Sequence, residues 1–538
     1  MPQLSVAVPA PADTVPTPTL ELRDGRVRLV VDGAPFLVRG AEVHNSAAST
    51  PAASRASFAA VAATGADTVL APITWEALEP AEGGYDLAVV DQLVDAARDA
   101  GLRLVVLWFG AYKNGASSYA PAWVKTDPVR FPRCRDADGK PMATLSPFGD
   151  ATRDADARAF AALVQRIEEV DGADRTVIMV QVQNEPGLLG SSRDHDSHAE
   201  RLFAARPPAE VLAACGVRGE PADWQAAFGA GLDADEHFMA WGFARYIDAV
   251  ARAGRARTAL PFFTNAWLDS EIDLPGFSLA GGQQPGTYPS GGPVARMLPL
   301  WRAVAPHLDL VVPDVYFGDF DAICAAYADA SGGLFIPEMR RDAQGVGDAF
   351  VAIGSHGAIG VSPFGVDSIT EAEAADLRDG YELLGALGAD LPGAESRGFH
   401  VPPDAPADAH AVLDFGDVRI HAARLTAFGE VEPPEQGAFG VVVRLAPDRF
   451  LAVGRGFGLT FHDAAGRTTG LLQVLEHPRS PAAGDGSRPV QRRLNGDETA
   501  GGTAWLHPGR LQRQSPVFPI PMALAHTGVS TCEIYRLG

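Results

Sequence analysis

Two glutamates, Glu185 and Glu338, each close an apolar run. Glu185 follows MVQVQN and Glu338 follows GLFIP. They stand 153 residues apart (338 − 185), so only the fold can bring them together. Two carboxyl groups are what acetal cleavage requires. One gives a proton to the departing oxygen, and the other attacks the anomeric carbon. A separation of about 5–5.5 Å gives the covalent, retaining route. The acid must keep its proton near neutrality, and both burial and a neighbouring negative charge raise its pKa. Arg340 and Arg341 follow Glu338 closely. They either help keep it ionised or turn outward into ion pairs.

The elements that carry these residues recur. Eight short apolar runs, near residues 39, 69, 105, 180, 262, 311, 335 and 360, alternate with helical stretches. Several are nearly continuous Val, Ile, Leu and Phe, the pattern of strands covered on both faces. Thr50 and Pro51 form a cap and first-turn pair opening AASRASFAAVAATG. The pattern predicts an α/β fold, a (β/α)₈ TIM barrel, with a doubly wound open sheet as the competing arrangement. In a barrel the site forms at the C-terminal strand ends. Glu185 ends the fourth strand and Glu338 the seventh, on opposite sides of the mouth. Residues 1–18 are Pro-rich and read as a mobile leader, 19–395 as the barrel, and 396–538 as a smaller all-β, sandwich-like domain. The segment from 480 to 502 reads as a long exposed loop.

Other strand-end residues have the chemistry of sugar contacts, hydroxyl partners and aromatic faces. These are Glu42, His44 and Asn45 after strand one, Trp75 after strand two and Trp108 at strand three. Asn184 precedes Glu185, Trp267 follows strand five and Tyr316 follows strand six, within reach of the nucleophile. Lys113, Asp314, Asn265, Phe364 and Asp367 stand at similar places. Lys113 reads as solvated and Asp314 as a structural acceptor.

Composition narrows the partners. With 44 Lys+Arg against 67 Asp+Glu, the net charge is −23. That balance disfavours nucleic acid and anionic membrane as partners. Four scattered cysteines form no C-x-x-C, so neither a zinc site nor a disulfide framework is expected. There is no H-E-x-x-H helix. His195 and His198 fit a capping loop better than an ion site. No metal or cofactor is expected. No secretory leader or apolar span is visible, so the cytoplasm is expected, or secretion if a leader has been trimmed.

Several stretches together resemble bacterial β-galactosidases of glycoside hydrolase family 35, in clan A, that carry a C-terminal β domain of formerly unknown function. They are RGAEVHNS, ITWEALEPAEGGYD, LWFGAYKNGASSYAPAWVKTD, QNEPGLLGSSRD, PGTYPSGGPV, PDVYFGDF, FIPEMRRDA through SPFGVDS, and RRLNGDET. The resemblance covers about residues 20 to 538. It implies that Glu185 is the proton donor, Glu338 the nucleophile, and a terminal β-galactosyl group of an oligosaccharide the substrate. Strand one departs from the GG-x-x-H-Y pattern of the better-known branch, so that branch's contacts there do not carry over. β-Glucosidase, β-fucosidase or α-L-arabinopyranosidase activity would use the same machinery. A barrel that binds sugar without cleaving it is the reading from another class. The oligomeric state, a homo-oligomer included, stays open.

Overall fold

The computed structural model describes residues 15–270, 282–388, 391, 393–406, 408–427, 430–431, 437–483, 486–507 and 525–538. Most of the leader expected over residues 1–18 lies outside these residues.

Eight parallel strands form one sheet. In chain order they are Val38–Glu42, Thr68–Thr74, Arg103–Lys113, Val177–Asn184, Phe262–Trp267, Leu310–Asp314, Ile336–Met339 and Gly360–Pro363. Neighbours in the sheet follow the chain, with strand eight beside strand one. The sheet closes between strands six and seven through a bridge from Val315 to Met339. There the Val315 N–H donates to the Glu338 carbonyl at 2.9 Å. This is the expected barrel, and all eight predicted strands are present.

Helices follow the strands, as the right-handed βα unit requires. In Pro51–Ala63 the Thr50 side chain accepts from the Ala53 N–H, and Pro51 takes the first turn. That satisfies a donor the helix would otherwise leave unmet. The inward side chains, Val38, Leu70, Val105, Leu107, Phe263, Val312, Phe335 and Ile359, pack into one cluster. Leu29 and Val31 join it from a three-stranded antiparallel sheet spanning Thr19–Arg23, Arg26–Val31 and Ala34–Phe36. This sheet plugs the N-terminal end of the barrel, so the interior opens only at the other end.

From residue 395 the described residues form two large antiparallel sheets and a small ladder of Thr426–Ala427 with Glu430–Val431. One has six strands and begins with Glu395–Val401 paired to Ala438–Ala446. The other has four: His410–Asp414, Val418–Arg424, Phe457–Asp463 and Trp505–His507. Phe399, Ile420, Val442, Phe450, Leu459 and Trp505 share the core between them. The stretch from 480 to 502 is not one loop. It holds the strand Arg492–Leu494 and a 3₁₀ turn, Gly496–Gly502, because Arg492 pairs with Glu476 and anchors the segment to the sheet.

The barrel helix Ala343–Gly354 is buried from Gly345 to Gly354. Its inner face lies on the barrel and its outer face lies under the six-stranded sheet. The approach is close enough that a Cβ on Gly398 would stand 1.9 Å from the Phe350 carbonyl. Only glycine fits there. His400 and Asp348 bond at 2.8 Å across the same contact. Among the described residues, no helix is long and apolar enough to cross a membrane.

Candidate active site

The site forms at the C-terminal strand ends because the chain leaves regular geometry there. Gln183 and Glu185 both take left-handed backbone conformations, with φ of 65° and 44°. Such conformations cost a side-chain-bearing residue about 1–3 kcal/mol and need a surrounding structure that fixes them. Buried Asp156 supplies part of it. It accepts from Trp108 Nε1 (2.8 Å), Gln183 Nε2 (2.7 Å), the Ala111 N–H (3.1 Å) and the Tyr246 hydroxyl (3.0 Å). Burial raises its carboxyl to about 6, against the pull of those donors. The Gln183 carbonyl oxygen in turn accepts from the Tyr112 N–H. This clamp locks strand three to strand four and turns Glu185 into the mouth. The Glu185 N–H is held by Asn265 Oδ1 at 2.9 Å.

Three carboxyl groups meet at the floor. One oxygen each of Glu185, Asp314 and Glu338 lies within 4.8 Å of the others. Glu338 receives three donors: Asn184 Nδ2 at 3.0 Å, Asn265 Nδ2 at 3.3 Å and the Tyr316 hydroxyl at 3.1 Å. An ionised carboxylate, which only accepts, satisfies all three. Glu185 has a different environment. Burial, then the charge of Glu338, raises its carboxyl to about 7, with Lys113 opposing. Two neighbouring carboxyls with such different surroundings can serve as an acid and an anion.

Lys113 is the cation of this cluster. The ammonium is buried, donates to Asn184 Oδ1 at 2.9 Å and sits 4.8 Å from the centre of the Phe109 ring. Burial pulls its pKa down, but Glu338, Glu185, Glu42 and Asp314 together outweigh burial and hold it above the ordinary lysine value. The three clustered carboxyls have the composition of a cation site. The lysine already places a positive charge among them, and a divalent ion would have to enter against it.

The cavity above the floor has a volume of about 470 Å³, within the usual range for a small ligand. Asn45, Lys113, Trp267, Tyr316, Phe317 and Phe364 form its wall, with Glu185, Asp314 and Glu338 below. Asn45, Trp267 and Tyr316 thus line the cavity. Asn184 is fully buried and reaches the cavity only through Glu338 and Lys113. His44 sits on the rim, bonded to Asp367 at 2.8 Å, and lines the shallow groove beside the cavity.

Of the other expected contacts, the two tryptophans face away from the cavity and Glu42 lies beneath its wall. Trp75 is buried and donates to Glu79 at 2.8 Å. It opens a short helix and turns under it. Trp108 is also buried, because strand three runs on to Lys113. The tryptophan is therefore mid-strand and faces the helix Asp150–Asp171, and the lysine reaches the mouth instead of standing in solvent. Glu42 lies beneath the cavity wall, 1% exposed, and neither carboxyl oxygen has a partner among the described residues. Burial and then Glu338 push its carboxyl well above the ordinary range. Arg340 pairs with Asp342, and Arg341 bonds Gly365 and Ser368, so neither reaches Glu338. His195 bonds Glu200 beside the helix that Asp196 caps.

The chain matches two family models. Residues 28–214 match "Glycosyl hydrolases family 35" and residues 377–505 match "Domain of unknown function (DUF5597)". Among solved structures, similar ones include the β-galactosidase from the psychrophilic Marinomonas ef1, at 12% identity and a TM-score of 0.45. Others are the β-galactosidases from the Antarctic haloarchaeon Halorubrum lacusprofundi (16%, 0.45) and Bacillus circulans sp. alkalophilus (14%, 0.47). These alignments cover 66%, 66% and 67% of this chain. They span 60%, 58% and 57% of the other chains, less than two thirds of each. No curated protein matches the sequence.

Proposed function

We propose that this chain is a retaining glycoside hydrolase that removes terminal β-galactosyl groups, with Glu185 as acid/base and Glu338 as nucleophile. One observation carries the reading: two buried carboxyls within 4.8 Å, in surroundings that favour a proton on one and a charge on the other. Inverting pairs stand about 6.5–9.5 Å apart to admit a water between carboxylate and sugar, and retaining pairs about 5–5.5 Å. The match of residues 28–214 to the glycosyl hydrolase model supports the same class.

In the first step a Glu338 oxygen bonds to the anomeric carbon while the C–O bond to the aglycone breaks. Glu185 gives its proton to the departing oxygen. In the second step Glu185 takes a proton from water, the water oxygen bonds to the anomeric carbon, and Glu338 is released. Tyr316 and Asn184 hold Glu338 on line throughout. Trp267 and Phe364 offer apolar faces to the ring, and Asn45 and Lys113 offer polar groups to its hydroxyls. Catalysis then belongs to residues 19–395, and residues 396–538 cover barrel helices.

The test is turnover of 4-nitrophenyl β-galactoside and β-glucoside by wild type and Glu338→Gln, with the anomer of the first product read by NMR. Galactoside turnover with retention, abolished in the variant, is expected. A wild type that binds galactose but cleaves no aryl glycoside would leave a sugar-binding barrel instead. Release of the opposite anomer would overturn the covalent route.

A further inference from the structure

The two-glutamate mechanism leaves one buried carboxyl of the floor without a task. Asp314 ends strand six, is 4% exposed, and has a carboxyl oxygen within 4.8 Å of both Glu185 and Glu338. Its Oδ2 accepts from Asn265 Nδ2 at 2.6 Å. Its Oδ1 is buried and meets no donor among the described residues. Carboxylate oxygens only accept, so two ionised neighbours this close, out of water, repel without compensation. A single proton on Asp314 removes the repulsion and gives the orphaned oxygen a function.

We propose that Asp314 works through Glu185 as a permanently protonated partner, whose O–H donates to the Glu185 carboxylate formed when the leaving group takes its proton. This rests on Glu185 being the acid/base. Asp314 is then a positioning residue, and its own proton never leaves. In the first step the Glu185 proton passes to the glycosidic oxygen as the C–O bond breaks, and Glu185 becomes an anion. The Asp314 hydroxyl hydrogen-bonds to that anion. In the second step water returns a proton to Glu185, and Asp314 ends as it began.

Asn265 makes the arrangement specific. Its carbonyl oxygen takes the Glu185 N–H, so its amino group must face the other way, towards Asp314 Oδ2 and Glu338 Oε1. One rigid amide thereby fixes Oδ2 as the acceptor and leaves Oδ1 to carry hydrogen. Burial, then the charges of Glu338 and Glu185, holds the Asp314 carboxyl well above the ordinary aspartate range.

The consequence concerns leaving groups. A 4-nitrophenolate departs with little help from an acid, whereas an alkyl or sugar alkoxide needs the full proton. The experiment compares kcat/KM on 4-nitrophenyl and methyl glycosides of the same sugar, for wild type, Asp314→Leu and Asp314→Asn, across pH. Asp314→Leu loses the hydrogen bond, and should lose about 10–100-fold more on the methyl than on the nitrophenyl substrate. The basic limb of its pH profile should move upward, because Glu185 without that donor holds its proton more tightly. Asp314→Asn keeps a donor that cannot ionise, and should return the substrate ratio to within about 3-fold of wild type. Equal losses on both substrates in both variants would overturn the proposal. So would a basic limb that moves downward, which would mean that Asp314 is an anion. If Asp314→Leu does not melt as a folded protein, Asp314→Asn decides alone by the same ratio and limb. A wild type inactive on every glycoside would instead remove the acid/base assignment beneath it.

Discussion

The mouth of the barrel and the seat of the C-terminal sheets both bury charge, and they treat it in opposite ways. At the seat, Asp379 of helix Glu371–Leu387 is bonded by Arg455 and Arg479 from the β domain, and Arg479 also reaches Glu382. Each negative group there faces a guanidinium. At the mouth, Glu42, Glu185, Asp314 and Glu338 crowd around one ammonium, and Glu42, Asn45 and Asp314 keep oxygens with no partner among the described residues. Paired charge ties two units together. Underpaired charge keeps protons and hydrogen-bonding capacity ready for something that arrives. A fold that only had to be stable would not leave its mouth in that condition.

The comparison can be broken from either side. The largest effect is expected for Glu338→Gln, with hydrolysis falling by about 10⁴-fold or more and the melting temperature not falling. A variant that melts early would make Glu338 a structural carboxylate, like Asp379. Next is Lys113→Met, with a loss of about 10²–10³-fold in kcat/KM. Its activity should also need a higher pH, because carboxyls deprived of their cation take protons more readily. An unchanged acid limb would show that the ammonium does not set the charge of the floor.

Asp379→Ala tests the other region. It takes one carboxylate from two arginines that keep Asp376 and Glu382, and should cost about 2 kcal/mol of unfolding free energy with kcat unaltered. A fall in kcat without a fall in stability would reverse the assignment of roles.

The smallest effect on stability is expected for Glu185→Gln, which also removes the proposed acid, and its sign is diagnostic. A carboxyl held near 7 in the fold and near its ordinary 4.5 when unfolded favours the native state less as pH rises between those values. Removing its charge should therefore stabilise the protein, more at pH 8 than at pH 5, by on the order of 1–3 kcal/mol. Urea unfolding at the two pH values measures it. A larger gain at pH 5 would contradict the raised pKa.

The barrel was legible because its strands are buried on both sides and read as unbroken apolar runs. The two glutamates were legible because they end such runs. Lys113 was misplaced by three residues of strand. The apolar run stops at Gly110, while pairing continues to Lys113 through an irregular register beside strand four. The ladder carries through residues whose polarity announces a loop. Trp75 and Trp108 misled for a related reason, since an aromatic near a strand end serves a sugar face and a helix underside equally well. What separates the two is the acceptor for the indole N–H, and here those acceptors are Glu79 and Asp156. Asp156 lies on a helix 29 positions before Glu185 (185 − 156), with no motif to connect it to the mouth.

The bridge from Val315 to Met339 has a further bearing on heat. It is the seam of the cylinder, and it lies one residue from Asp314 and from Glu338. The strands on either side hold Asp314 and Glu338, with a single ladder step between them among the described residues. Any parting of the wall at that stitch would move Glu338 away from Asp314, and with it from Glu185, while the other seven strand contacts stay shut. Warming should therefore silence the protein while its circular dichroism is still that of the native state, and cooling should restore it.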